Sequence, residues 1–183
     1  MKTDDIIRTI YGYYPQNIGL ENIEQYTNSV EYLNRIKKCE EARLNNIEWQ
    51  NLKNELSNYA WSEYNDTLDD YSVLGNVPCY SASMGFGEPA IRNSWMISIL
   101  VSVITPLWAY RIIDFHQPDS VRYNYNNLNE ENTVRVFESL IAKYFPGYEF
   151  IDQNQHQIVI PDISTAFKYQ PTIFESIFKE DLN

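Results

Sequence analysis

Apolar positions change their period along the chain. Ile23, Tyr26, Val30 and Leu33 step by three and four residues, with Ile36 continuing the row. That spacing predicts an amphipathic helix. Trp49, Leu52, Leu56 and Tyr59 repeat it after a polar turn. Asn45 and Asn46 are N-cap candidates there, and Glu48 follows Asn45 by the spacing of a capping box. The two helices predict a hairpin whose outward face carries Glu24, Glu31, Glu40, Glu41, Glu48 and Glu55.

Beyond Tyr59 the period shortens. Tyr80, Ala82, Met84 and Phe86 alternate with Ser81, Ser83 and Gly85, which predicts a strand. Next comes WMISILVSVITPLWAYRIIDF, residues 95–115, inside an uncharged span of about 18 residues between Arg92 and Arg111. Such a span approaches the length of a membrane-crossing helix. Pro106 would break that helix, Ser98, Ser102 and Thr105 dilute it, and its β-branched residues favour strands. The expectation is two buried strands joined at Thr105-Pro106, apolar on nearly both faces and therefore covered on both.

The last third returns to helical spacing. Residues 116–132 predict a polar loop with a short edge strand around Val121, Tyr123 and Tyr125. Asn129 is the expected cap of a helix with the stripe Val134, Phe137, Leu140, Ile141 and Tyr144, stopped by Pro146-Gly147. Runs 148–151 and 157–160 suggest a second hairpin. Thr172 and Glu175 form a capping box before Ile173, Phe174, Ile177 and Phe178. Segregated helices and strands favour α+β: an N-terminal helical hairpin and C-terminal helices packed on a mainly antiparallel β-sheet. Length and the absence of a dividing linker predict one domain over residues 1–183.

Charge changes the picture more than composition does. The chain has 14 basic and 25 acidic residues, a net −11. Residues 1–70 hold 13 acids and 7 bases, 71–128 hold 3 and 3, and 129–183 hold 9 and 4. A neutral centre between acidic arms repels nucleic acid phosphates and anionic membranes and attracts basic partners. The opening MKTDDIIRTI has no apolar signal region. Cys39 and Cys79 follow no metal or redox spacing, which predicts reduced, buried thiols in a cytoplasmic protein.

Candidate chemistry is sparse. Asp114 and His116 would share one side of a strand, and with His156 they are the one arrangement that suggests a base or a metal. Gly85-Phe86-Gly87 lacks the third glycine and the lysine of nucleotide loops. No serine sits in G-x-S-x-G. Adjacent carboxylates such as Glu40-Glu41, Asp69-Asp70 and Glu130-Glu131 predict solvated charge, since helical neighbours diverge. No cofactor or metal site is expected.

An interaction surface is the stronger expectation. Trp61, Tyr64 and Tyr71 interleave with Glu63, Asp66, Asp69 and Asp70, a mixture of aromatic anchors and steering carboxylates. Arg122 to Glu131 repeats it with Tyr123 and Tyr125. With the runs YYPQNI, SWMISILV, FPGYEF and VIPDIS…TIFESIF, the chain resembles the small acidic immunity proteins encoded beside bacterial polymorphic toxins. The resemblance implies a non-enzymatic protein that binds and neutralises a cognate toxin, and the acidic charge would suit a basic one. The alternatives are a small enzyme or metal-binding protein using Asp114 and His116, or a self-associating structural subunit.

Overall fold

Strands that follow one another in sequence lie side by side in the sheet. The computed structural model describes residues 1–58, 68–70, 78–86, 95–114, 117–165 and 169–178; at 68–70, 86 and 117–120 only the backbone is described. β1 (Leu68–Asp70), β2 (Cys79–Phe86), β3 (Trp95–Ser102), β4 (Leu107–Asp114) and β5 (Gln117–Arg122) form an antiparallel meander in that order. β6 (Glu149–Phe150) runs parallel to the start of β4, with Leu107 opposite Glu149 and Trp108 opposite Phe150. β5 pairs with the far end of the same β4 edge, at Ile112–Asp114.

The hydroxyls of the uncharged span explain how it stays buried. Ser83 lies opposite Ser98, and their Oγ atoms hydrogen-bond at 2.6 Å. Ser102 Oγ accepts from the backbone N–H groups of Ile104 and Thr105 at 3.2 and 3.1 Å and lies 3.2 Å from Thr105 Oγ1. Each hydroxyl therefore replaces its lost water. Alternate residues on both faces of β3 and β4 are buried from Ile97 through Tyr110 apart from Pro106. Register places Tyr80, Val101 and Trp108 in one row and Ala82, Ile99 and Tyr110 in the next. No helix among the described residues is long and apolar enough to cross a membrane.

Helices cover the apolar rows. α1 (Thr3–Tyr11), a short 3₁₀ turn at Leu20–Asn22, α2 (Ile23–Thr27), α3 (Val30–Leu44) and α4 (Ile47–Leu56) precede the sheet. α5 (Leu128–Tyr144), α6 (Gln153–His156) and α7 (Ile173–Ile177) follow it. Trp49 of α4 stacks on Tyr80, with centroids 5.1 Å apart, and the Tyr80 hydroxyl donates to the Ala42 carbonyl of α3 at 2.7 Å. α4 lies against α5, where Glu55 accepts from Lys143 and, at 2.6 Å, from the Tyr144 hydroxyl. Val134, Phe137, Leu140 and Ile141 are buried as the stripe on α5 predicts, and Tyr144 is half-buried. The architecture is α+β with a mainly antiparallel sheet.

Several expectations need correction. α1, with Ile6 and Ile10 buried one turn apart, is a helix that the periodicity reading did not include. The first stripe is not one helix: Ser29 Oγ accepts from Tyr32 N–H at 3.1 Å, caps α3 and separates it from α2. Asn45 makes no capping box; its amide donates back to Glu41 O at 3.1 Å, at the end of α3, and α4 has no side-chain cap. The cap of α5 is Asn127, two residues before Asn129, because its Oδ1 reaches Asn129 N–H and Glu130 N–H at 3.0 and 2.9 Å. The edge strand ends at Arg122, so Tyr123 and Tyr125 lie beyond it. Residues 148–160 are not a hairpin. Asp152 and Gln155 build a capping box that turns 153–156 into α6, while β6 pairs with β4. The capping box of Thr172 and Glu175 is present on α7.

Candidate functional site

The predicted partner surface falls largely outside the described residues. Trp61, Glu63, Tyr64, Asp66 and Tyr71 lie there, as does His116. Asp69 and Asp70 belong to β1, opposite Ser83 and Ala82 at the edge of the sheet. Asp114 sits at the β-bulge where β4 meets β5. Among the described residues no group of three His, Cys, Asp or Glu could hold a metal ion.

Concave surface gathers around the segment after β5. One cavity of about 790 Å³ is lined by Trp95, Asp114, Arg122 and the start of α5. A second, of about 410 Å³, holds Arg122, Tyr123, His156 and Phe174. Asp114 and His156, expected to meet as the first and third members of a site with His116, thus line different cavities that share Arg122. A third, of about 550 Å³, is walled by Tyr110, Tyr123, Tyr125 and Phe150, with Phe150 stacked on Tyr110 at 5.4 Å.

Glu130 holds this segment in place. It is only 2% exposed, so it is not the solvated charge expected of the Glu130-Glu131 pair. Arg122 donates to its two oxygens at 3.2 and 2.9 Å, and Asn126 N–H donates at 2.7 Å. Burial works against its charged form, but the Arg122 and Asn126 hydrogen bonds outweigh it and hold the carboxyl below its usual range. The loop 122–126 is thereby clamped onto the first turn of α5. Glu131 points outward and pairs with Arg135 at 2.7 Å.

His156 is 5% exposed, and neither ring nitrogen has a hydrogen-bond partner. Tyr123 meets it edge-on at 4.8 Å and Phe174 packs at 4.8 Å. Burial pushes its pKa down to about 4; the Ile151 carbonyl favours the protonated form but falls short of hydrogen-bond geometry. The imidazole is neutral at pH 7. Each unpaired buried nitrogen costs about 1–3 kcal/mol.

The second notable surface is on α3, which is turned opposite to expectation. Val30 is 68% and Leu33 53% exposed, with Ile23 of α2 and Leu44 also exposed. What faces inward is Arg35 and Cys39. Arg35, 3% exposed, lies over the Tyr14 ring at 4.2 Å and the Tyr32 ring at 5.3 Å. Burial disfavours its charge, but hydrogen bonding and attraction to the Tyr14 and Tyr26 oxygens outweigh this and raise its pKa. Those tyrosines donate onward to Ser176 O at 2.8 Å and Ser164 O at 2.7 Å. A caged cation thus ties α3 to the C-terminal segment. Cys39 and Cys79 are buried thiols outside any disulfide, and burial pushes the Cys39 thiol up, away from reactivity.

Sequence reading missed the His156 cavity, the Glu130 clamp and the inverted α3. A usable signal existed for the last: Tyr14, Tyr26 and Tyr32 are polar-tipped aromatics suited to caging a guanidinium. Compared with known protein families, curated proteins and solved structures, the chain has no match.

Proposed function

We propose that this chain is a non-enzymatic immunity protein that binds and neutralises a cognate, basic bacterial toxin in the cytoplasm of the producing cell. The observation that carries the reading is the outward face of α2 and α3. Ile23, Val30, Leu33 and Leu44 are apolar and exposed there. Isolated exposed apolar residues are ordinary, but Val30 and Leu33 lie one turn apart on the outer face of α3, with Leu44 further along it and Ile23 on the adjoining α2, which is apolar surface that a partner could cover.

Charge selects the partner's chemistry. Residues 21–48 carry Glu21, Glu24, Glu31, Glu40, Glu41 and Glu48. Against them stand Lys37, Lys38 and Arg43, since Arg35 is buried. A net −11 chain opposes its own self-association and speeds encounter with a cation-rich protein. The acidic, aromatic stretch from Trp61 to Tyr71 would extend the same steering field.

The test is co-expression with the product of the neighbouring gene, followed by co-purification and a growth assay. The expected result is a neighbour toxic alone, a stable complex and restored growth. Val30→Asp with Leu33→Asp should abolish rescue, and lysine at Asp66, Asp69 and Asp70 should slow association most at low salt. A harmless neighbour with no complex sinks the reading. A concentration-dependent dimer by light scattering, lost in the Val30→Asp, Leu33→Asp variant, would assign the face to self-association instead.

A further inference from the structure

Aromatic rings left open beside an unpaired carboxylate suit one kind of visitor, a weakly hydrated cation. We propose that the hollow walled by Tyr110, Tyr125 and Phe150, with Asp152 in its lining, binds an arginine side chain presented by a basic partner protein. It rests on the reading of a basic protein partner, but it uses β4, β6 and the segments beside them rather than α2 and α3.

The sheet makes room for the hollow by dividing one edge between two strands. On the edge of β4 turned away from β3, β6 pairs at Leu107 and Trp108 and β5 at Ile112–Asp114. No described strand pairs with that edge at Ala109–Arg111. The hollow of about 550 Å³ takes in Tyr110 from the middle of that interval and Phe150 from β6. Tyr125 joins them from the segment after β5, and Asp152 from the cap of α6. Phe150 is 40% and Tyr125 46% exposed, so aromatic surface is open to solvent. Phe150 is nevertheless held, edge-on to Trp108 at 5.0 Å and stacked on Tyr110 at 5.4 Å. A ring fixed in advance loses little freedom when something binds it.

Charge chooses the occupant. Asp152 is the one charged residue among the described lining, and it is exposed. It accepts from Asn154 N–H at 2.7 Å, which leaves a carboxylate further acceptor sites. No described lysine or arginine pairs with it. Arg135, which interacts with Tyr125, is taken by Glu131 at 2.7 Å, and Arg122 is taken by Glu130. No described cation lies over Tyr110, Tyr125 or Phe150, whereas Arg35 fills the cage of Tyr14 and Tyr32. The chain thus supplies the cation for one set of rings and leaves another without. The surroundings are negative: burial raises the Tyr110 hydroxyl to about 12, and Tyr125, Glu138 and Glu130 push it the same way. An anion would be repelled, and a neutral sugar would leave Asp152 unmatched. A guanidinium lies flat on aromatic rings and forks its N–H groups onto a carboxylate.

The experiment titrates the full chain with acetyl-Gly-Arg-Gly-amide and follows its aromatic ¹H–¹³C spectrum. The controls are the same peptide with citrulline, which keeps the shape of arginine without its charge, and methyl β-glucoside. The arginine peptide should shift the Phe150 and Tyr125 rings saturably with a Kd of about 10 mM or tighter. The citrulline peptide and the glucoside should bind at least about fivefold more weakly. Asp152→Asn keeps a residue able to cap α6 and removes the charge. It should weaken the arginine peptide about threefold or more and leave the citrulline peptide unchanged. Tyr125→Leu should weaken the arginine peptide about threefold or more by removing one ring. The proposal is overturned if the arginine peptide leaves both rings unshifted, if either control binds as well, or if Asp152→Asn changes nothing. No toxin is needed, so the two readings fail separately. A harmless neighbouring gene product would sink the immunity reading without altering the peptide titration, and unshifted rings would sink this site without touching the face of α3.

Discussion

Helices α3 and α5 carry comparable apolar rows and use them in opposite ways. On α5, Val134, Phe137, Leu140 and Ile141 are buried in the core. On α3, Val30, Leu33 and Leu44 face outward while Arg35 and Cys39 face in. The comparison separates two meanings of an amphipathic stripe. Periodicity says that a helix has a partner; it does not say that the partner belongs to the same chain. α5 finds its partner in α4 and in the hydrophobic core that the strands share. α3 has its inner face occupied by a guanidinium among tyrosines, which leaves its apolar residues available.

Four measurements would break or sharpen that contrast. The largest effect is expected for Phe137→Ala, which empties a fully buried site under α5 and should lower unfolding free energy by about 3–5 kcal/mol in urea melts. A loss under about 1 kcal/mol would mean that α5 is not the packed helix. Arg35→Ala should cost about 2–3 kcal/mol through lost packing and lost bonds to Tyr14 and Tyr26. If Arg35→Ala were neutral, α3 would not be anchored by its inner face.

The third measurement is pH dependence. His156 has a folded pKa of about 4 against an ordinary value of 6.5. A base with a depressed folded pKa contributes stability that is complete above 6.5 and lost as pH falls toward 4. The expected loss is on the order of 2 kcal/mol across that window after allowance for partial solvent screening. His156→Phe should flatten that part of the profile; an unchanged slope would assign it to other groups. The smallest effect on stability is expected for Leu33→Asp, within about 0.5 kcal/mol, because the side chain touches mainly solvent. Its effect on partner binding should exceed tenfold. A destabilisation of about 2 kcal/mol or more would show that Leu33 is part of the core and erase the contrast with α5.

The strands were the most legible part of the molecule. Alternation in residues 80–86 and the charge-free run from Trp95 match β2, β3 and β4 because covered strands must be apolar on both faces. Caps were legible where side chain and backbone spacing agree without ambiguity, as at Thr172 and Glu175. At α5 the expected cap Asn129 gave way to Asn127, and at α4 neither Asn45 nor Asn46 caps through its side chain, because the backbone path and not residue type decides which asparagine reaches the free N–H groups. Of the candidate site, Asp114 was paired with His116, which lies outside the described residues, and the proposed third member His156 lines a different cavity from Asp114, the two sharing Arg122. Sequence separation carries no information about which distant residues a chain return brings together.

What local chemistry determined by itself was the α+β composition, the antiparallel hairpin around Thr105-Pro106, and the acidic balance of the chain. Each follows from near neighbours: side-chain alternation, proline geometry, or summed charge. What only the tertiary structure decided was which face of α3 is inside, that Glu130 is buried under Arg122, and that His156 is sealed between Tyr123 and Phe174. Those outcomes depend on partners 8 to more than 100 residues away, where desolvation and pairing, rather than local preference, set the energy.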